Sequence, residues 1–466
     1  MAIDFYALWN SSSTSASLLF ILFIVIIASC MYIFIISLRS YLLIPIIHSK
    51  QERMSILSPS WIIKKSTISS YNNHNDYDYY HSKKKMFTND PSIYPFVSVI
   101  VPARNEQDNI ERCILSLLAQ NYPNFEVIVI DDNSTDDTLK IMKEIEITIV
   151  PVDNRLKIIS LNHKPDKWTG KTWASQQGYL QSRGSILLFT DADTYYTSKD
   201  TILLTISYMQ KQNLDVLSGI PSIELRDFWS KIIIPLWDLV SVLFGVNIAD
   251  VNNPKSKVAY LMGSFFLIHK TVFEEVGTFQ SVSKAVQEDR ALGVRIKEAG
   301  YNMKIVRIDD MVSALWSRDL HTLWHGIGRT IAPIAIKNKL KAIKNCLIII
   351  FMFTLPFMLL PYTLSVTIQQ FTFTFMPQFF TQFDFRLILF LNIVSCIMPI
   401  IGASIKAIKQ HRQTPMYAMF IFFGAIFVVL ACLYNIASLL MSNKTKSIIW
   451  RGRKYVYGRE KERFVI

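Results

Sequence analysis

The sequence has few cysteines, and no lysine or arginine precedes Arg39. Of its five cysteines, Cys30, Cys346, Cys396 and Cys432 fall in long apolar runs and Cys113 in a predicted helix. No spacing among them suits a zinc site or a disulfide framework. The first apolar run, residues 16–38, has no basic stretch before it and no A-x-A-like cleavage site after it. It therefore reads as a membrane anchor and not as a removable signal peptide. There is no internal repeat. A basic face on the folded middle of the chain is also missing, which argues against a nucleic-acid partner.

What is present is apolar surface in blocks. The chain of 466 residues is 51% apolar, has a mean hydropathy of +0.26 and carries a formal charge of +13. Residues 16–38 are long enough to span a bilayer, and three further candidate spans follow at 346–368, 387–407 and 416–440. The intended division is an N-terminal span at 16–38, a basic juxtamembrane linker at 39–95 and a soluble domain at 96–316. An amphipathic interfacial segment at 317–345, a membrane region at 346–440 and a basic tail at 441–466 follow. The linker from 55 to 89 is rich in Tyr, Asn, His, Ser and Lys, and Trp61, Ile62 and Ile63 are candidate interfacial anchors. Positive charge clusters beside the spans, which places the soluble domain on the cytoplasmic side and the N-terminus outside. Four spans would put the basic tail outside as well. Either one C-terminal segment is re-entrant or interfacial, or the stretch 346–380, interrupted by Pro356 and Pro361, crosses twice.

The middle of the chain alternates strands and helices. Strands are predicted at 96–101, 125–130, 156–161, 186–189 and 216–219, and helices at 106–120, 134–144 (with Ser134 as cap), 171–182 and 199–212. Such alternation implies an α/β domain with a doubly wound, mainly parallel sheet, in which ligands sit beyond the carboxyl ends of the strands. Three predicted strand ends carry polar clusters: residues 102–106, 131–134 and 191–193. The run 185–195, SILLFTDADTY, stops at Asp191 and Asp193, and no Lys or Arg lies between Ser185 and Ser198. A divalent cation is the natural partner for such a pair. Hard carboxylate oxygens suit Mg²⁺ or Mn²⁺, which commonly share their coordination with substrate phosphates; a solvated Asp-rich loop is the alternative.

Residues 97–138, VSVIVPARNEQDNIERCILSLLAQNYPNFEVIVIDDNSTDDT, resemble the N-terminal half of a family 2 glycosyltransferase domain of the GT-A fold. TDAD at 190–193 resembles that family's metal-binding motif, YLMGSFFLIHKTVFEEVGTF at 260–279 its mid-domain segment, and QEDRALGVRIKEAGY at 287–301 its ED motif. The spans and WRGRKY at 450–455 make the layout similar to membrane glycosyltransferases acting on lipids, of hopanoid-associated, carotenoid and ceramide type. The resemblance implies an inverting, metal-dependent transfer of one sugar from a UDP- or GDP-sugar to a membrane lipid on the cytoplasmic face. Asp289 is then the general base beside Glu288, and Asp191 and Asp193 are the metal and diphosphate ligands. Asp131, Asp132, Glu106 and Pro102 fall on the nucleotide side, with Glu106 placed to hold a ribose, and Gly263 and Ser264 on the acceptor or diphosphate side.

Each assignment has a plainer counterpart. Asp131 or Asp132 also suits capping of the helix near Ser134, Glu106 suits holding its own loop, and Glu288 with Asp289 suits the positive end of a helix dipole. Lys171, in TGKTWA, suits contact with the diphosphate or donor sugar. The same GKT raises a phosphate-binding P-loop, but that motif needs Gly at 165, where Pro165 has no N–H to donate. The Q-x-x-R-W string of processive members is missing, which argues against a polysaccharide synthase. In its place stands LHTLWHGIGRT, residues 320–330, whose Trp324 and Arg329 suit either an acceptor site or anchoring to headgroups. A catalytically inactive membrane scaffold that kept the fold is the non-enzymatic reading. Intact carboxylates at all three strand ends count against it.

Overall fold

A computed structural model describes residues 5–48, 94–149, 151, 153–244, 248–285, 287–373, 385–441, 446–450 and 453–457. The predicted anchor at Trp61, Ile62 and Ile63 lies outside them. The chain forms two compact units, one from Met1–Leu42, Glu224–Asn247 and Trp316–Glu462, the other from Leu43–Ile223, Ile248–Leu315 and Arg463–Ile466.

The first unit is mainly helical, with one antiparallel strand pair, Lys446–Trp450 and Arg453–Tyr457. It opens with α1 (Phe5–Leu42), in which Phe23, Ile26, Cys30, Ile33, Ser37 and Tyr41 are buried at three- and four-residue spacing. Leu18, Ile21, Val25, Tyr32 and Ile35 of the same helix are exposed. One stripe packs on protein, and the rest presents apolar side chains outward, as a lipid-facing helix does. Four helices among the described residues are long and apolar enough to cross a membrane: Ser17–Leu42, Leu340–Gln369, Phe385–His411 and Pro415–Ala437. That is one near the N-terminus and three after the central domain, as the sequence predicts. The stretch Leu340–Gln369 is made of two helices, Lys339–Phe353 and Leu355–Phe373, that meet at Thr354. Nearby, the amide of Asn392 donates to Pro356 O at 2.9 Å and accepts from Thr363 Oγ1 at 2.9 Å.

One element of this unit has no counterpart in the sequence reading. The helix Phe228–Val240 packs against α1 and against the helices Phe385–His411 and Ile421–Met441. Asp227 starts it with a capping box, its carboxylate accepting from Trp229 N at 2.8 Å and Ser230 N at 3.0 Å. Too short to span a bilayer, it buries Ile232, Ile233, Leu236, Trp237 and Leu239.

The second unit is built on a seven-stranded sheet of order β3-β2-β1-β4-β8-β6-β9. Its strands are β1 (Val97–Ala103), β2 (Phe125–Asp131), β3 (Leu156–Ser160), β4 (Ile186–Phe189), β6 (Val216–Ile220), β8 (Phe266–His269) and β9 (Met303–Arg307). The pairs β1–β2, β2–β3, β1–β4 and β6–β9 are parallel; β8 runs antiparallel between β4 and β6. The sheet is thus mainly parallel but mixed. Strand alternation sorts the core: Val97, Val99, Val101, Val127 and Val129 face one layer with Ile110, Ile114 and Leu117. Ile100, Ile128 and Ile130 face the other, with Ala174, Phe273 and Leu292. Covering both faces is why β1 and β2 read as continuous apolar runs.

Two predicted helices start later than their apolar pattern suggested. The first runs Ile110–Leu118 because residues 106–109 form a turn, Asn109 N and Ile110 N both donating to Glu106 O at 2.9 Å. The second runs Thr138–Ile149, so Ser134 is not its cap; Asp136 Oδ1 accepts from Thr138 N at 3.0 Å instead. Ser134 N donates to the Asp131 carboxylate at 3.3 Å, which closes a turn and leaves Asp131 on the last position of β2. A second sheet, β5 (Thr194–Tyr196), β10 (Val312–Ala314) and β7 (Ser222–Ile223), begins directly after Asp193.

Candidate active site

The three polar strand ends lie side by side. Ala103 is in register with Asp131, Asp132 N donates to Ala103 O at 2.8 Å, and Thr190 N donates to Ile100 O at 3.2 Å. The loops after β1 and β2 are tied to each other. Asn105 Oδ1 accepts from Thr135 N at 2.9 Å, Glu106 N donates to Thr138 Oγ1 at 2.7 Å, and Arg104 donates to Asp132 O at 2.6 Å. Asn105 and Asn133 both adopt φ of 54°, a left-handed conformation that Asn tolerates better than most residues. Glu106 is buried, and its carboxylate accepts from Asn109 Nδ2 at 3.0 Å, the loop-holding geometry. Burial pushes the Asp131 carboxyl above its ordinary range, partly offset by its bonds to Ser134.

The turn carrying Asp191 and Asp193 is pinned from three directions. Thr194 Oγ1 donates to Asp191 O at 2.6 Å, Leu315 N donates to Asp193 O at 3.1 Å, and Thr190 Oγ1 donates to Ser264 O at 2.7 Å. Cys113 lies beneath it, Sγ 3.7 Å from Asp191 O, with its thiol pushed up to about 12 by burial. Backbone order here leaves the two carboxylates half-buried at the mouth of the cleft.

Two helices deliver the remaining groups. Gly170–Leu180 is capped by Thr169, whose side chain accepts from Thr172 N, and Lys171 lies in its first turn. Glu288 and Asp289 occupy the first turn of the helix Glu288–Glu298, where the dipole favours negative charge. Lys171 Nζ stands 2.6 Å from Asp191 Oδ1 and 2.9 Å from Glu288 Oε1. Burial acts to lower the Lys171 pKa, but the charges of Asp191, Glu288 and Asp289 outweigh it and hold the ammonium protonated. Asp289 shifts the other way: burial and the charge of Glu288 push its carboxyl up to about 6, against the opposing pull of Lys171. Its Oδ1 accepts from Arg290 N at 2.7 Å.

Gly263 sits at the centre. A Cβ there would stand 2.6 Å from Lys171 Nζ, 3.3 Å from Asp289 Oδ2 and 3.6 Å from Asp191 Oδ2. The cleft is lined by Pro102, Lys171, Ser175, Thr190, Gly263 and Glu288. Its floor is aromatic: Phe189 packs on Phe266 and Phe279 with centroids 4.9 and 5.0 Å apart. The structure therefore gathers Pro102, Lys171, Asp191, Gly263, Glu288 and Asp289 into one cluster, with Ser264 beside it through Thr190. Asp131, Asp132 and Glu106 stand at the neighbouring strand ends.

The sequence reading gave no role of their own to Arg104, Thr190 or the floor phenylalanines, although each lies within a stretch it chose: 102–106, 190–193, 186–189 and 260–279. Nothing within those stretches says which residues will tie the loops together. Trp324 lies in the helix Leu320–Lys337, half-buried, its ring 5.3 Å from Phe427 and 5.7 Å from Tyr434. Arg329 belongs to the same helix, and its side chain lies outside the described ones.

Among the described residues no group of three His, Cys, Asp or Glu side chains forms a cage for a metal. The residues present nonetheless fit Mg²⁺ or Mn²⁺. Asp191 and Asp193 offer hard oxygens at a partly open rim, which suits an ion that keeps further positions for water and phosphate oxygens.

Residues 98–277 match the family model for glycosyl transferase family 2. The 4,4'-diaponeurosporenoate glycosyltransferase of Staphylococcus aureus strain USA300 is 26% identical over 197 residues, 42% of this chain and 50% of that protein. The chain thus spans about half the length of the curated relatives it matches. Among solved structures, a mannosyltransferase of Pyrobaculum calidifontis in complex with GDP-Man and Mn²⁺ is similar at 18% identity and a TM-score of 0.42. The alignment covers 77% of this chain and 94% of that one. S. aureus TarS 1–349 in complex with UDP-GlcNAc is similar at 16% identity and a TM-score of 0.36, covering 78% and 97%. The chain carries a glycosyl transferase family 2 domain over residues 98–277.

Proposed function

We propose that this protein transfers one sugar, with inversion, from a UDP- or GDP-sugar to a membrane lipid on the cytoplasmic face, using Mg²⁺ or Mn²⁺. The observation that carries the reading is the cluster of Lys171, Asp191, Glu288 and Asp289 around Gly263, at the mouth of a family 2 domain. Asp191 and Asp193 would hold the metal, which supplies charge neutralisation at the departing diphosphate. Asp131 and Asp132 offer carboxylates to a base N–H or a ribose hydroxyl from the adjoining strand end. Asp289 takes the proton of the acceptor hydroxyl as it attacks; a carboxyl near 6 is mostly ionised at neutral pH, which suits a general base. A single displacement inverts the anomeric centre.

A lipid acceptor is supported by the four apolar helices and by the lipid-like substrate in the name of the S. aureus relative. Trp324 and Arg329 remain its candidate acceptor-side residues, although the Trp324 ring also has a packing role. The cytoplasmic side follows from the basic clusters that flank the spans.

The test is direct. Membranes containing the protein are incubated with labelled UDP- and GDP-sugars, with Mn²⁺ or with EDTA, and lipid is extracted. Label in a single-sugar lipid, lost with EDTA and in Asp191→Ala and Asp193→Ala, is the expected result. Label in a long water-soluble polymer would favour a processive synthase; full activity in EDTA would overturn the metal assignment.

A further inference from the structure

Among the described residues, Lys171 forms ion pairs with two carboxylates of the cluster, one of them the proposed metal ligand Asp191. Its Nζ is 2.6 Å from Asp191 Oδ1 and 2.9 Å from Glu288 Oε1, with Asp289 close enough to raise its pKa. Room for the ammonium depends on Gly263, because a Cβ there would approach Nζ to 2.6 Å. A helix cap at Thr169 and a Thr169 N bond to Ser283 O at 2.8 Å fix the turn from which the side chain extends.

We infer that Lys171 is a resident counter-ion that a divalent metal must displace from Asp191, so that metal and nucleoside diphosphate bind cooperatively through it. This rests on the metal and donor roles proposed above. A divalent ion held by Asp191 would share that carboxylate with the Lys171 ammonium. An ammonium on the same carboxylate then lies within a few ångströms of it, in a partly desolvated site where like charges repel strongly. Without nucleotide, the carboxylates of Asp191, Glu288 and Asp289 act on Lys171, and a metal has to compete with the ammonium for Asp191. The diphosphate changes that balance by giving the ammonium a new anionic partner and the metal further oxygen ligands. Each ligand then raises the affinity of the other by the same factor, as linkage requires.

The experiment measures Mn²⁺ binding by electron paramagnetic resonance on the detergent-solubilised full chain, alone and with UDP or GDP. For the wild type, one nucleotide should tighten Mn²⁺ by about tenfold or more, within the usual range of coupling between sites. In Lys171→Met, Mn²⁺ should bind tighter than wild type without nucleotide, and the gain from nucleotide should shrink. Lys171→Met leaves three carboxylates without their counter-ion and is the variant more prone to unfold. Gly263→Ala therefore serves as the second variant: it keeps the charge, pushes Nζ off its seat and should also tighten nucleotide-free Mn²⁺. Nucleotide-free affinity equal to or weaker than wild type in the folded variants would overturn the displacement role and make Lys171 a purely structural cation. If wild type binds neither Mn²⁺ nor nucleotide, and Asp191→Ala changes nothing, it is the metal and donor reading itself that fails.

Discussion

At the scale of single residues, the proposed role of Asp289 as base is tested by separating chemistry from binding. Asp289→Asn keeps shape and hydrogen bonding but cannot take a proton, so kcat should fall by about 10²–10⁴-fold. Nucleotide affinity, measured by calorimetry, should change little. A parallel loss of nucleotide binding would move Asp289 to the donor side. The same group sets a pH dependence. Its carboxyl is pushed up to about 6 by burial and the charge of Glu288, and only the ionised form accepts a proton. A plot of kcat/KM against pH should therefore be level above that value and fall about tenfold per unit below it. Asp289→Asn should remove this acid limb from its residual rate. The pair Asp191 and Asp289 was legible in the sequence because each sits in a motif. Gly263 at their centre gained its meaning only from space, since nothing local says which side chains will converge on its hydrogen.

At the scale of elements, the fit of helix to sheet is tight enough to test. On the helix Gly170–Leu180, a Cβ at Gly178 would stand 2.6 Å from Ile100 Cγ2 and 2.6 Å from Ile130 Cδ1. Gly178→Ala overpacks that contact and should cost about 1–3 kcal/mol, read as a drop in thermal unfolding temperature. Because the same helix carries Lys171, nucleotide affinity should weaken with it. Unchanged stability would mean that the helix shifts freely on the sheet. At the helix Phe228–Val240 a different term dominates: Asp227→Ala removes the capping carboxylate and should cost about 1 kcal/mol, while Asp227→Asn should recover most of it. The central strands β1, β2 and β4 were predictable from their apolar runs, because both faces of each are buried. The short strands β5, β7 and β10 were not, because two or three residues carry no period, and pairing across 90 or more residues decides them.

For the whole molecule, the reaction proposed above would take place at a membrane surface, and the four apolar helices are the feature that supports this. Transfer to lipid should depend on Trp324: Trp324→Phe, which keeps a ring against Phe427, should raise the KM for lipid more than that for the nucleotide sugar. Kinetics in mixed micelles at varied lipid fraction measure this. Equal changes in both KM values would leave Trp324 as a packing residue alone.

The sequence by itself determined the kind of molecule. Apolar blocks fixed the candidate spans, and alternation of strand and helix fixed the α/β domain. Carboxylates at the ends of three apolar strands marked the site, because charge at such positions has a cost unless something uses it. The tertiary structure decided the rest. It set β8 antiparallel between β4 and β6, moved the helix start from Ser134 to Thr138, and assigned Phe228–Val240 to the helical unit. It also turned Lys171 onto Asp191 and Glu288, residues 20 and 117 positions away. Local patterns report what each segment buries. Which groups meet across the chain depends on closure of long loops and on packing, and no window of neighbouring residues contains that information.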